Sequence, residues 1–353
     1  MNYRTLEEEI KVLELGLPPK KDDGFIGGNL DPEEASLILL PVPWEATVSF
    51  GEGTAKAPDN IRVASHQLDV ENFHYKKPYS VGISMLESNK SIEKLSQKAR
   101  KKAISVIEAL ENNKSDKKSL KFVNEASELV NTFVYEESLK LLLKDKFVAV
   151  VGGDHSVPLG LIKALNDTQN DEFGILHVDA HHDLREAYEG FKYSHASIFY
   201  NVLNECNHVS RLVQIGIRDY SSEEAKRMED LGKKGACLYD SLMQSELASG
   251  KSLEDVFSFY IEKLPKNVYL SIDIDGLEPL NCPNTGTPVP GGLRFAELEH
   301  LIFMIVKSGK KIIGFDLCEV GTSNDGFDEN VGARVLYQLC GALLASQGKI
   351  KFN

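Results

Sequence analysis

Short apolar runs rich in β-branched residues alternate along this chain with longer segments of helical period. No other feature restricts the fold as much, because this is the pattern of repeated βαβ units around a mainly parallel sheet. The strand candidates are residues 37–42, 147–151, 174–179, 211–216, 268–275 and 311–317. Helical period is read over 92–110, 125–143, 157–165, 196–204, 223–231, 295–306 and 330–344. The polar, Lys-rich stretch 112–121 reads as a solvated loop between surface helices, in preference to a linker or a basic recognition tract. Residues 1–33 carry few apolar side chains after Leu17 and read as an N-terminal extension lying over the body, with 34–353 as a single domain.

At 353 residues and 42% hydrophobic content, the chain has ample material for a buried core. Its 53 acidic and 40 basic residues give a formal net charge of -13, a field that repels phosphate backbones and attracts cations, so nucleic acid is excluded as a partner. No stretch approaches the ~18 apolar residues of a membrane span, and the first residues are polar and acidic, so the expectation is a cytoplasmic protein with no membrane partner. The five cysteines are odd in number and without any Cys-x-x-Cys spacing, which points to reduced thiols packed inside.

Three of the strand candidates end in metal-type ligands at their C-terminal tips, the edge where open parallel sheets place their sites. The first ends in Gly152-Gly153-Asp154-His155-Ser156, a turn that presents Asp154 and His155. The second ends in Asp179-Ala180-His181-His182-Asp183. Residues i and i+2 of an extended segment share a face, so Asp179 and His181 point together and Asp183 joins them as the chain turns. His182 has the opposite parity and reads as supporting or solvent-facing, and His177, deeper in the strand, as a hydrogen-bonded core histidine. The third ends in Ser271-Ile272-Asp273-Ile274-Asp275, another i, i+2 carboxylate pair, costly at the end of a buried strand unless something positive lies between the carboxylates.

Together His155, Asp179, His181, Asp183, Asp273 and Asp275 offer four carboxylates and two imidazoles, a mixed set suited to a divalent ion such as Mn, with Ni, Co, Fe and Zn as alternatives. Six ligands are too many for one ion that stays open to substrate; they suit two bridged ions, the arrangement that generates a hydroxide nucleophile at neutral pH.

In order and spacing these segments, with Gly286-Thr287-Pro288-Val289-Pro290-Gly291-Gly292, resemble the ureohydrolase family of arginases and agmatinases from about Leu37 to the C-terminus. The resemblance implies a three-layer α/β/α fold with a central, mainly parallel eight-stranded sheet, assembled as a trimer or hexamer. It implies that His155 and Asp183 hold one metal, His181 and Asp275 the other, and that Asp179 and Asp273 bridge. By the same resemblance His195, in Tyr193-Ser194-His195-Ala196-Ser197, is the histidine that shuttles protons, and Glu319 binds the guanidinium of the substrate, with Asp183 handling the proton of the departing nitrogen. Asp316 and Glu319 read alternatively as a surface pair at a strand end.

Counting the ions, the carboxylates and Glu319 leaves the site net negative, which suits a cationic guanidino guest better than a phosphate ester. The expected reaction is hydrolysis of a guanidino carbon–nitrogen bond with release of urea. The stretch 184–190, Leu-Arg-Glu-Ala-Tyr-Glu-Gly, replaces the Asn-rich segment with which arginases grip the amino acid carboxylate. Agmatine is therefore preferred, with free guanidine next and arginine or another guanidino acid behind. A metallophosphoesterase and a non-catalytic scaffold are the competing classes; the first lacks its Asn-His motif here, and the second is at odds with the complete ligand set. Trp44, the only tryptophan, lines the mouth or belongs to the core.

Overall fold

Uninterrupted runs of Val, Ile and Leu are what a parallel strand covered on both faces requires. Each of the six runs forms a strand in the computed structural model, which describes residues 3–353. In chain order the strands are β1 (Leu37–Val42), β2 (Ile83–Met85), β3 (Phe147–Gly152), β4 (Phe173–Val178), β5 (Val209–Ile217), β6 (Gly235–Tyr239), β7 (Asn267–Asp273) and β8 (Lys311–Cys318). They form one eight-stranded sheet, β2-β1-β3-β8-β7-β4-β5-β6. Every neighbouring pair is parallel. The sequence reading omits β2 and β6, the edge strands: one is three residues long and the other is mostly half-buried, so neither shows an apolar run.

The helices are α1 (Leu6–Glu14), α2 (Ala57–Ala64), α3 (Lys90–Glu111), α4 (Lys117–Leu142), α5 (Leu159–Thr168), α6 (Ile198–Glu205), α7 (Ser222–Asp230), α8 (Asp240–Ala248), α9 (Leu253–Ile261), α10 (Phe295–Lys307) and α11 (Phe327–Ser346). Alternate residues of each strand feed two separate cores, giving three layers. Leu176, Val213, Leu270 and Leu317 pack against α2 and α8 to α11, while Val150, Ile175, Leu212 and Tyr269 pack against α3 to α7. Trp44 is buried in the second of these cores and does not line the mouth.

One expected loop is partly helix. α4 begins at Lys117, inside the polar stretch 112–121, where Asp116 accepts the Ser119 N–H at 3.0 Å. Lys117, Lys118 and Lys121 face solvent while Ser119 is buried, so the Lys-rich composition marks the wet side of a first turn. Ahead of β1, the segment is clamped by Arg4, which pairs with Glu9 at 3.0 Å and Asp23 at 3.4 Å, and by Phe25 and Ile26, which enter the core beside Ile61.

Because all strands run one way, their C-terminal ends share one edge. The loops leaving β3, β8, β7 and β4, consecutive neighbours at the middle of the sheet, carry the candidate site residues.

Candidate metal centre

The turn after β3 is built by close approach. Gly153 N–H donates to the Val42 carbonyl at 3.1 Å and Asp154 N–H to the Trp44 carbonyl at 2.9 Å. Asp154 itself stays in the turn, accepting from Ala46 N–H and from the Ser156 amide and hydroxyl. That leaves the buried His155 pointing across the sheet edge.

His155 Nδ1 lies 3.2 Å from Asp179 Oδ2, 3.3 Å from Asp183 Oδ2 and 3.2 Å from Asp273 Oδ2. His181 Nδ1 lies 3.3 Å from Asp179 Oδ1 and 3.1 Å from Asp275 Oδ2. Atoms that ligate one ion at about 2.1 Å stand roughly 3.0–3.4 Å apart, so both nests have the spacing of a coordination sphere. Asp179 turns one oxygen to each nest. Asp273 gives Oδ2 to the first, and its Oδ1 accepts the Asp275 N–H at 2.8 Å.

The electrostatics of these groups suit cations. Burial, together with Asp179, pushes the Asp183 carboxyl up to about 7. Burial and Asp275 push Asp273 well above the carboxylate range, and burial with Asp273 does the same to Glu319. Asp179 alone is held low, the surrounding imidazoles of His177, His155 and His181 outweighing its burial. So many buried carboxylates ionise together only around cations, and the donor set therefore fits divalent ions.

Both nests are braced from below. His155 Nε2 meets Ser271 Oγ at 2.9 Å, and that hydroxyl donates to Asp316 Oδ1 at 3.0 Å. With Nδ1 facing carboxylates, Nε2 carries the proton, the usual arrangement behind a metal-binding imidazole. His177 is the core histidine expected, 2.7 Å from Asp179 Oδ2. His182 is fully buried rather than solvent-facing, and its Nδ1 contacts Gln214 Oε1 at 2.6 Å. Cys318 lies beside Asp316, but burial holds its thiol well above its ordinary value and it stays protonated. All five cysteines are free thiols, and all but Cys237 are buried.

Asp316 and Glu319 are buried, not a surface pair. Glu319 Oε1 accepts the His155 N–H at 2.9 Å, while Oε2, equally buried, has no hydrogen-bond partner. Asp183 (φ 54°) and Glu319 (φ 60°) both adopt the left-handed backbone, which costs free energy in residues with a Cβ and recurs at functional sites.

A cleft of about 250 Å³ opens from this centre, lined by His181, Asp183, His195, Tyr188, Asp219 and Tyr220 among others. Arg185, at its rim, is pulled toward the buried Glu224, Nε to Oε2 3.5 Å, and lies over the Tyr188 ring. His195 sits at the N-terminal end of α6, its Nδ1 3.2 Å from Thr47 Oγ1. The six candidate ligands read from the sequence, with His195 and Glu319, all lie at this edge, whereas Thr47 and Gln214, single polar residues whose partners lie far away along the chain, were not read from it.

The sequence profile described as the arginase family matches residues 35–341. An N(1)-aminopropylagmatine ureohydrolase of Thermus thermophilus is 31% identical over 309 residues, covering 88% of this chain and 90% of the relative. One from Thermococcus kodakarensis is 31% identical over 321 residues, covering 89% and 93%. Among solved structures, the proclavaminate amidino hydrolase of Streptomyces clavuligerus superposes with a TM-score of 0.73 at 21% identity, covering 94% of this chain and 99% of that one. The agmatine ureohydrolase of Thermoplasma volcanium gives 0.66 at 24% identity, covering 90% and 92%.

Proposed function

Because this chain belongs to the arginase family and is a hydrolase acting on guanidino compounds, we propose that its substrate is a guanidine with an amine tail, agmatine or an N(1)-aminopropyl derivative of it, cleaved to urea and the free amine. The observation that carries this reading is the unpartnered, buried Oε2 of Glu319 beside the two carboxylate–imidazole nests. Such an oxygen suits a planar cation with N–H donors, which is what a guanidinium is.

In this reading His155 and Asp183 would hold one ion and His181 and Asp275 the other, with Asp179 and Asp273 shared. Mn and Ni both suit the donor set. Bound there, the ions supply a hydroxide nucleophile at neutral pH. Glu319 accepts guanidinium N–H at Oε2 and so fixes the plane of the carbon to be attacked. Asp183, which lines the cleft with its Oδ2 3.3 Å from His155 Nδ1, takes a proton at its carboxylate and returns it to the departing nitrogen. His195, on the cleft wall, exchanges protons with solvent.

The rim favours an ammonium tail over a carboxylate. Asp219 is exposed there without an ion-pair partner among the described residues, the rings of Tyr188 and Tyr220 flank the cleft, and the one cation among the residues lining it, Arg185, is drawn toward Glu224. The 31% identical relatives are themselves named for an aminopropylated agmatine, which agrees with room for a longer cationic tail.

The test is urea release from agmatine, N(1)-aminopropylagmatine, guanidine, guanidinobutyrate and arginine with Mn or Ni. The amine-tailed compounds should give the highest kcat/KM. A preference for guanidine or for a guanidino acid would overturn the assigned tail.

A further inference from the structure

Beneath the ligands lies a buried polar row. Adjacent strands pair Gln214 with His177, His177 with Ser271, and Ser271 with Asp316, so these side chains stand abreast on β5, β4, β7 and β8. All four are fully buried, two positions below the level of Asp179 and Asp273, where Val, Ile or Leu would ordinarily pack. Ser271 and Asp316 brace His155. The other half of the row has a different task.

Gln214 Nε2 lies 2.8 Å from the His182 carbonyl and 2.8 Å from His177 Nδ1, and its Oε1 lies 2.6 Å from His182 Nδ1. A backbone carbonyl only accepts, so the amide nitrogen must face it; the flipped amide would set oxygen against oxygen. The same nitrogen then donates to His177 Nδ1, so the ring hydrogen of His177 is on Nε2. That hydrogen is given to Asp179 Oδ2 at 2.7 Å. With the opposite tautomer an imidazole lone pair would face a carboxylate oxygen and push it away.

We propose that Gln214 is a positioning residue for the metal centre: by committing the His177 proton to Nε2, it makes His177 hold Asp179 in the rotamer that turns one carboxylate oxygen to each nest. The inference rests on Asp179 being a ligand to both ions, and it concerns metal retention, not substrate choice. Gln214 touches neither ion nor substrate and acts only through the imidazole.

The test is Mn(II) titration of the metal-stripped protein by calorimetry, with thermal unfolding of the metal-free chain and urea release read separately. Gln214→Met, similar in shape but without a donor, should weaken Mn(II) binding by about 10–100-fold, the range for outer partners of metal ligands. In a His177→Gln background, whose amide reaches Asp179 and has no tautomer to set, Gln214→Met should change binding by less than about three-fold. Parent-like affinity in Gln214→Met overturns the proposal, as does an equal loss in both backgrounds, which would mark a packing effect. If Gln214→Met does not fold, His177→Phe is compared with His177→Gln. The ring without a donor should lose affinity and the amide should keep it, and His177→Phe binding like the parent overturns the proposal. A parent that takes up no Mn(II) or Ni(II) removes the ligand assignment and this inference with it, whereas failure on the substrate panel by a parent that binds two ions leaves it standing.

Discussion

Thr47 Oγ1 lies 3.2 Å from His195 Nδ1, and the same oxygen receives the His195 backbone N–H at 3.4 Å. A hydroxyl has two lone pairs and one proton, so it can accept from that amide and pair with Nδ1 in either tautomer; the contact anchors the ring without setting which nitrogen carries its hydrogen. Burial, with His181 and His155 adding to it, pushes the imidazole down to about 3. The shift favours the neutral ring near neutral pH.

Thr47→Val keeps the shape and removes the bond that anchors the ring. We expect kcat to fall about ten-fold, a part of the ~10²–10⁴ that a whole general acid–base group contributes, with KM and metal content unchanged. The lowered value also has a sign: protonation of His195 comes far below neutrality, so the acid limb of the kcat/KM profile belongs to another group. His195→Asn should lower kcat and leave that limb in place. A limb that moves in this variant would show that His195 titrates in the working range.

Asp273 is buried at the end of β7, its Oδ2 on His155 and its Oδ1 on the Asp275 amide. Asp273→Ala should release metal and abolish urea formation together. Metal per chain, measured by emission spectroscopy after gel filtration, should drop from two to one or none; retention of two ions would remove Asp273 from the bridging role. The metal-free variant should not be much less stable than the metal-free parent, because the deletion also removes a buried carboxylate that Asp275 and Asp179 repel.

The candidate ligands were legible as Asp and His clusters closing apolar strands, but β4 ends at Val178 and β7 at Asp273, so His181 and Asp275 lie in the turns beyond and the turns, not the strand period of two, bring each pair together. Gln214 could not be read this way. It is one amide in an apolar run, and its meaning depends on the register that sets it beside His177, a long-range property. Thr47 was hidden for the same reason, its partner 148 residues away. The fold's centre was legible in the continuous apolar strands, whereas β2 and β6 at the edges bury too little to show a pattern, and the first turn of α4 was masked by its solvated lysines.

Glu319→Gln tests the guanidinium assignment with little disturbance to the turn, since Gln retains an oxygen for the His155 N–H. A charge-assisted bond contributes about 1.5–3 kcal/mol, so kcat/KM on the best guanidino substrate should fall roughly ten- to hundred-fold. Metal content should hold, as Glu319 Oε2 faces neither imidazole. Loss of metal in Glu319→Gln would recast the residue as part of the metal site.

Gly153 tests the scaffold rather than the chemistry. A Cβ there would collide with the Trp44 carbonyl oxygen and stand 2.8 Å from the Trp44 carbonyl carbon and 3.2 Å from Ala55 Cα, all of them backbone atoms that cannot swing aside. That carbonyl is tied down by the Asp154 N–H, and the Gly153 carbonyl by the Glu319 N–H at 2.8 Å. Gly153→Ala must therefore separate the loop after β1 from the turn after β3, at a cost of about 3 kcal/mol or more. Because the shifted turn carries His155 and the displaced amide belongs to Glu319, Mn(II) affinity and activity should fall along with the melting temperature of the metal-free chain. If melting temperature alone falls while metal affinity keeps its parent value, the turn moves as a rigid unit, and the close approach at Gly153 serves stability without setting the geometry of the centre.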